Sequence, residues 1–279
     1  MSNKITTRQA KKRRLAERDH PLWELVVNND DISLTHIVPK LNVTDVKFLY
    51  ETNKASRALI KRAPREIKSH IRKKFRIEEM SSISTLECAW EKRPPWLKDE
   101  RDFCTKVAET NKLELLKWIR EEKKCKWDGW TMSSAASQGN LEMIKYCVAN
   151  ECPVDERACT CAARNGHLEV LKYLREEVKA PWDFLTSAWA AENGHLHILQ
   201  YLVERKFDQY SVYACWYAAK NGHLDCLKYL HETAKAPWNY WAVQDAHKND
   251  QTECLQYLLD NNCPLPEGWW YANGALYTN

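Results

Sequence analysis

The stretch Asn165-Gly-His-Leu-Glu-Val-Leu-Lys-Tyr-Leu174 decides the fold, because close copies of it occupy residues 193–202 and 221–230. Weaker copies occupy residues 138–147 and 249–258. With the glycine as reference position, successive copies lie 27 or 28 residues apart. Self-similarity at a fixed period is typical of a solenoid, in which each repeat buries its apolar face against its neighbours. We therefore predict a stack of repeats, an architecture that commonly serves binding.

Alignment of the copies indicates two helices in each repeat. A small residue recurs four positions before the glycine, at Ala135, Ala162, Ala190, Ala218 and Ala246. A large apolar residue recurs five positions after it, at Ile144, Leu171, Leu199, Leu227 and Leu255. Asn-Gly tolerates the left-handed conformation of a short helix–helix turn, and the apolar residues that follow lie on one helical face. The predicted fold class is all-α, a solenoid of stacked antiparallel helix pairs.

The segments Cys161–Leu174 and Trp189–Leu202 share the pattern Ala-Ala-x-Asn-Gly-His-Leu-x-x-Leu-x-Tyr-Leu. This pattern resembles the ankyrin repeat over residues 99–279, with about five residues fewer than the ~33 usual in that family. The loops read Pro-Val-Asp, Pro-Trp-Asp and Pro-Trp-Asn at residues 153–155, 181–183 and 237–239. The chain looks like a short-period ankyrin subtype, so we predict short loops in place of β-hairpin fingers.

The resemblance implies a monomeric module that binds protein partners. We expect about six repeats and a truncated seventh unit, which begins with a helix at Trp269. In ankyrin repeats the first helix lines the concave face, and two variable columns of that helix are rich in aromatic residues and arginine. The predicted partner-binding residues are Trp130, Arg157, Leu185, Tyr213, Trp241, Trp189 and Tyr217. Packing between repeats is an equally open interpretation of these columns, whereas Trp127, Trp182 and Trp238 of the loops are expected to seal helix ends.

Catalytic, metal-binding and cofactor-binding residues are not predicted. His167, His195 and His223 recur in register, so we expect each ring to bond the backbone of an adjoining turn. The eleven cysteines mostly occupy columns that are apolar or small in other repeats, and no Cys-x-x-Cys pair occurs. Nucleophile elbows, phosphate-binding loops and metalloprotease motifs are missing from the sequence. We therefore predict a protein that is not an enzyme.

The N-terminal third differs from the repeats in charge. Residues 1–78 contain 19 lysines and arginines against 9 acids, whereas residues 79–279 contain 23 against 29. Residues 1–28, with the cluster Lys11–Arg14, are expected to form a solvated arm, and a nuclear-import signal remains open. The second basic cluster, Lys54–Arg76, has only Phe75 for base stacking, so nucleic acid is not an expected partner. With no apolar run of about 18 residues, we expect no membrane span and a cytoplasmic or nuclear protein.

Residues 29–78 have the pattern of short helices at 32–38, 45–52 and 55–62. They resemble an F-box, which implies docking onto the Skp-type adaptor of a cullin ubiquitin ligase. The predicted adaptor-binding residues are Ile37, Val38, Leu41, Val46, Phe48 and Leu49. Residues 79–98 are expected to cap the solenoid with a helix, in which Ser84 and Glu87 have the spacing of a capping box.

Three functions remain open at this point. In the leading one, the F-box-like segment engages the ligase and the concave face holds its target. In the second, the protein is a plain ankyrin scaffold or effector whose N-terminal helices only cap the stack. In the third, it is a nuclear or nucleic-acid-associated regulator that uses the basic arm.

Overall fold

The chain divides into two compact units, Met1–Leu97 and Lys98–Asn279. A computed structural model describes Val46, Tyr50 and residues 54–70, 76–80, 82–92 and 99–278. No helix in these ranges is long and apolar enough to span a lipid bilayer.

In the first unit the structure describes three helices and a 3₁₀ turn, which are α1 (Lys54–Arg62), α2 (Arg65–His70), the 3₁₀ turn (Ile77–Glu79) and α3 (Ile83–Lys92). The predicted helix at 55–62 is confirmed by α1. Pro64 separates α1 from α2, because proline cannot continue a helix from the preceding turn. Leu59, Ile60, Ala63 and Ile67 are buried and form the apolar side of this pair.

The predicted capping box of α3 is wrong by two residues. Ser82 is the residue that caps the helix: its Oγ accepts from the N–H of Thr85, and its own N–H donates to Thr85 Oγ1, both at 3.3 Å. Threonine at the third helical position therefore plays the part predicted for Glu87.

The second unit contains six helix pairs within residues 99–278. The pairs are α4 (Glu100–Glu109) with α5 (Leu113–Glu121), α6 (Gly129–Ser137) with α7 (Leu141–Ala149), α8 (Glu156–Arg164) with α9 (Leu168–Glu176), α10 (Phe184–Glu192) with α11 (Leu196–Glu204), α12 (Val212–Lys220) with α13 (Leu224–Glu232), and α14 (Tyr240–Lys248) with α15 (Thr252–Asp260). The first helices of successive pairs pack against one another from α4 to α14. The predicted all-α solenoid is confirmed.

The loop residue that follows Pro-Trp caps the next helix. Oδ1 of Asp183 accepts from the N–H of Leu185 at 3.1 Å, and Oδ1 of Asn239 accepts from the N–H of Trp241 at 3.2 Å. An acidic or amide cap satisfies an N–H that has no partner within the helix. The loops at Pro181 and Pro237 contain no strand, so the prediction of short loops without hairpin fingers is confirmed.

The constant columns of the alignment form the core. All five alanines of the small column are fully buried, and so are Ile144, Leu171, Leu199 and Leu227 of the apolar column. Leu255, in the last pair, is partly exposed. Each turn between the paired helices contains one left-handed residue; Gly166, for example, has a φ of 73°. The predicted helix–glycine–helix geometry is therefore present.

The prediction of a helix from Trp269 is wrong. The chain instead forms an antiparallel hairpin of β1 (Trp270–Ala272) and β2 (Ala275–Tyr277). Its turn residues Asn273 and Gly274 both have positive φ, 52° and 75°. Two successive left-handed residues make the type I′ turn that joins closely paired strands.

Candidate protein-binding surface

The first helices α6, α8, α10, α12 and α14 lie side by side and carry all seven predicted partner-binding residues. We call the side that these residues share the first-helix surface. Trp130 on α6 is the most exposed, with 55% of its surface accessible. The other six are partly exposed: Arg157 on α8, Leu185 and Trp189 on α10, Tyr213 and Tyr217 on α12, and Trp241 on α14.

One end of this surface is a stacked pair of an indole and a guanidinium. The Arg157 guanidinium carbon lies 4.0 Å from the ring centroid of Trp130, in the preceding repeat. Arg157 also forms an ion pair with Asp155, the residue that caps α8. The guanidinium of Arg157 lowers the pKa of the Asp155 carboxyl through hydrogen bonding. These contacts fix the arginine in place, so its flat group is presented in one orientation.

The other end is a cluster of rings from three successive repeats. The Trp189 and Tyr217 centroids lie 5.7 Å apart with nearly parallel planes, inclined by 16°. The ring centroid of Tyr213 lies 6.2 Å from that of Tyr217 on the same helix and 6.2 Å from that of Trp241 in the next repeat. Because each ring contacts a ring of a neighbouring repeat, the columns contribute to packing between repeats. Because the rings also remain partly exposed, they form a continuous aromatic surface.

Sequence reasoning missed three members of this cluster. Trp216 lies 4.6 Å from Tyr217, and its Nε1 donates to Asp245 Oδ2 at 2.9 Å. Its column holds Thr105, Ser133, Thr160, Ala188 and Gln244 in the other repeats, so a single aromatic residue in a column without another was the available signal. Phe184 and Tyr240 each follow an N-cap residue and are 38% and 42% exposed. We define the aromatic cluster as the following residues: Phe184, Trp189, Tyr213, Trp216, Tyr217, Tyr240 and Trp241.

Cations and polar ring atoms give this cluster a mixed chemistry. The Arg164 guanidinium lies 4.5 Å from the Trp189 centroid, and the Lys220 ammonium lies 5.5 Å from that of Trp216. Burial raises the pKa of Tyr217, so the hydroxyl is a hydrogen-bond donor at neutral pH. Within residues 99–278, the Tyr213 and Tyr217 hydroxyls have no hydrogen-bond partner. The surface therefore combines apolar ring area with polar atoms that are available to a partner.

On the second helices, tyrosine side chains form hydrogen bonds between neighbouring repeats. The Tyr146 hydroxyl donates to Glu121 in the preceding repeat at 3.1 Å, and Tyr201 does the same with Glu176 at 3.1 Å. Burial and the nearby carboxylate raise the pKa of each of these tyrosines to about 12. A hydroxyl held in this way joins one repeat to the next, so Tyr146 and Tyr201 have a structural role.

The loop tryptophans are covered by side chains of the preceding second helix. The Arg120 guanidinium stacks 3.9 Å from the Trp127 centroid, and Arg175 stacks 3.9 Å from Trp182. His231 stacks on Trp238 with the two centroids 3.7 Å apart. In the repeat whose loop carries Val154, the stacking position holds Val148 in place of a cation. The loop tryptophans therefore seal the helix ends by local stacking, as predicted.

The recurring histidines connect neighbouring repeats. Nε2 of His167, His195 and His223 lies 3.0 Å from the carbonyl oxygen of Ser137, Arg164 and Glu192 respectively. Each carbonyl belongs to the last residue of the preceding first helix, where no intrahelical donor remains. The predicted ring-to-backbone bonds are present, and they explain why the histidines recur in register.

The ten cysteines from Cys104 to Cys263 are free thiols, and all of them but Cys161 are buried. Burial raises the pKa of Cys159 and Cys215 to about 12, which keeps these thiols protonated and unreactive. In the described part of the chain, no group of three His, Cys, Asp or Glu side chains could hold a metal ion.

Of the predicted adaptor-binding residues, only Val46 is described. It is helical and fully buried, so its side chain does not face solvent. The other five lie outside the described residues: Ile37, Val38, Leu41, Phe48 and Leu49.

Comparison with known families agrees with this geometry. The family described as ankyrin repeats (3 copies) matches residues 187–266, and that described as ankyrin repeats (many copies) matches residues 132–175. No curated protein matches the chain significantly. Both matched segments lie within the helix pairs of the second unit, and ankyrin repeats indicate a protein–protein interaction module. The chain therefore contains ankyrin repeats, stacked as a helical solenoid.

Proposed function

We propose that the protein binds a partner protein through the aromatic cluster of the first-helix surface. The observation that supports this proposal is the meeting of seven aromatic side chains from three successive repeats on one partly exposed surface. Tryptophan, tyrosine and arginine carry a large share of the binding energy in protein interfaces. Trp130 and Arg157 extend the same chemistry to the other end of the surface.

The cluster is also prepared for binding in its free state. Tyr217 contacts Trp189, Tyr213 and Trp216, so its ring is already held in one orientation. A partner therefore immobilises few side chains when it binds, and the entropic cost of association is reduced. The free hydroxyls of Tyr213 and Tyr217 supply directional hydrogen bonds that a purely apolar patch lacks.

A paired substitution tests this proposal. Proteins retained by the wild-type chain are identified by quantitative mass spectrometry and compared with those retained by Tyr217→Ala and by Tyr229→Ala. Tyr229 is a matched control, because it is a partly exposed tyrosine on a second helix. A partner of the aromatic cluster is lost only with Tyr217→Ala, and its dissociation constant, measured with purified protein, rises about 30-fold for a loss of about 2 kcal/mol. Equal retention by all three proteins would contradict the proposal.

We propose further that the first unit docks onto a Skp-type adaptor, which would make the protein a substrate receptor of a cullin ubiquitin ligase. Support comes from the F-box-like pattern of residues 29–78 and from α1, which occupies the position expected for the third helix. Replacing Phe48 and Leu49 with aspartate should abolish binding of the purified adaptor in calorimetry, whereas Trp189→Ala should leave it unchanged. If the wild-type chain does not bind the adaptor, the scaffold interpretation replaces this one.

A further inference from the structure

A strongly basic surface lies on α1 and α2, outside the ankyrin repeats. Residues 55–68 contain five cations and a single carboxylate, Glu66. All five cationic residues are exposed: Arg57, Lys61, Arg62, Arg65 and Lys68. The apolar residues of the same two helices point inward, since Leu59 and Ile60 are at most 2% exposed. The exposed side of residues 56–68 therefore carries a net charge of +4, and its only apolar residues are Ala58 and Pro64.

One of these cations, Arg57, is held in place by contacts with Tyr50. The Arg57 guanidinium lies 5.4 Å from the Tyr50 ring centroid, and its Nε donates to the Tyr50 carbonyl oxygen at 3.2 Å. Lys61, Arg65 and Lys68 follow at intervals of four and three residues, on either side of the break at Pro64. Basic groups at such spacing on helices form a compact field of positive potential, which attracts a polyanion.

Three features of this surface decide which polyanion it fits. Its exposed side chains, apart from Ala58 and Pro64, are charged, so it lacks the apolar centre of a protein interface. The buried Leu59 and Ile60 are not available to enter a lipid bilayer, as an interfacial amphipathic helix requires. The described part of these helices exposes no aromatic ring on which a single-stranded base could stack.

We propose that α1 and α2 bind the phosphate backbone of double-stranded nucleic acid without reading its sequence. A duplex carries one phosphate per ~1.7 Å of its axis, a charge density that suits five cations within twelve residues. Contacts of this kind position a protein on a duplex and carry no base specificity. The proposal does not depend on the aromatic cluster, since it concerns another unit of the chain and another class of partner.

The test compares salt dependence in two charge-matched variants of the full chain. The probe is a fluorescein-labelled 20-base-pair DNA duplex of mixed sequence, and its binding is followed by anisotropy between 50 and 200 mM KCl. One variant carries Lys61→Gln, Arg65→Gln and Lys68→Gln. The control carries Lys145→Gln, Lys172→Gln and Lys228→Gln, three lysines of second helices. Both variants lose three positive charges, and circular dichroism verifies that both are folded.

Loss of three phosphate contacts should make the slope of log K against log salt less negative by about 2.7. Over this fourfold range of KCl the wild-type chain should then lose about 40-fold more affinity than the first variant, and the control should match the wild type. An equal slope for the wild type and the first variant would overturn the proposal. A duplex RNA of the same length shows whether both kinds of duplex bind. If a polyglutamate peptide or phosphatidylserine vesicles compete equally well for the labelled duplex, the surface binds an acidic protein or a membrane instead. Either result would overturn the proposal of duplex binding.

Discussion

Replacement of Gly194 by alanine tests why a glycine recurs at the turns of this solenoid. Gly194 has a φ of 72°, and an added Cβ would lie 2.7 Å from Nδ1 of His223, which belongs to the next repeat. The His223 ring is held in place, since its Nε2 lies 3.0 Å from the carbonyl oxygen of Glu192. A carbonyl only accepts, so Nε2 carries the proton and the ring donates this bond. The added methyl group must displace the ring and break this hydrogen bond.

The left-handed backbone alone does not require glycine at this position. Asn111 and Asp250 occupy the same position in the first and last pairs, with φ of 59° and 56°. Above Asn111 the next repeat places Asn140, whose Nδ2 donates to Asn111 Oδ1 at 2.8 Å, in place of a ring. Within residues 99–278 no further helix pair follows Asp250. Glycine is therefore needed where an imidazole or a glutamine of the next repeat covers the turn.

The expected cost of Gly194→Ala is the sum of two terms. A left-handed alanine costs about 1–2 kcal/mol. Displacing His223 leaves the Glu192 carbonyl without its donor, at a cost of about 1–2 kcal/mol. The free energy of unfolding, measured in urea, should therefore fall by about 2–4 kcal/mol. Asp250→Ala is the control, because Asp250 already has a Cβ in a left-handed conformation and no ring covers it. This substitution should cost less than about 1 kcal/mol.

A double-mutant cycle separates the two terms of this estimate. In a His223→Ala background the ring is absent, so Gly194→Ala should cost only the conformational part. The coupling energy between the two substitutions should therefore be about 1–2 kcal/mol. If Gly194→Ala costs the same with and without His223, the ring does not explain the glycine and the reasoning fails.

Three further predictions concern the core, the loops and the histidines. Leu227→Ala should cost about 2–5 kcal/mol in urea unfolding, and Trp130→Ala, at 55% exposure, less than about 1 kcal/mol; equal costs would contradict the assignment of core and surface. Arg175→Val and Trp182→Val should show a coupling of about 1 kcal/mol, because the guanidinium lies 3.9 Å from the ring; additive losses would mean that the stack does not stabilise the loop. Burial lowers the pKa of His195, so its contribution to stability should be present above about pH 6.5 and be lost as the pH falls through its lowered pKa. His195→Gln should make thermal stability less dependent on pH between 7 and 5, and an unchanged pH dependence would contradict this.

Much of the solenoid could be predicted because the aligned repeats show which positions stay constant and which vary. A column that stays small, such as that of Ala162, must meet a neighbouring helix, and the structure buries every alanine of this column. The loop aspartates were less evident, because the role of Asp183 as an N-cap depends on where α10 begins. Column constancy therefore predicts packing, and cap positions follow once helix boundaries are known.

The candidate site could be predicted only in part. The variable columns identified Trp189, Tyr213, Tyr217 and Trp241, which the structure brings together. Trp216 was missed because its contacts with Trp241 and Asp245 cross to the next repeat, and a column with no second aromatic residue gives no sign of them. The number of rings that meet depends on how far neighbouring helices are rotated, and the register of a repeat does not determine this rotation.

The C-terminal hairpin shows how the same dipeptide takes two conformations. Asn165-Gly166 ends a helix, with φ of −100° and 73°, whereas both residues of Asn273-Gly274 have positive φ. Counted from the proline of each loop, Trp270 takes the position of Cys159, Ser187 and Val243, which are fully buried in their repeats. An indole does not fit between two close-packed helices, so this copy cannot stack as a repeat. Asn-Gly then follows its local preference for a type I′ turn, and Trp270 stacks on Tyr277 across the strands at 5.2 Å. A recurring loop proline therefore predicts a further repeat only where residues that fit the buried positions of the first helix follow it.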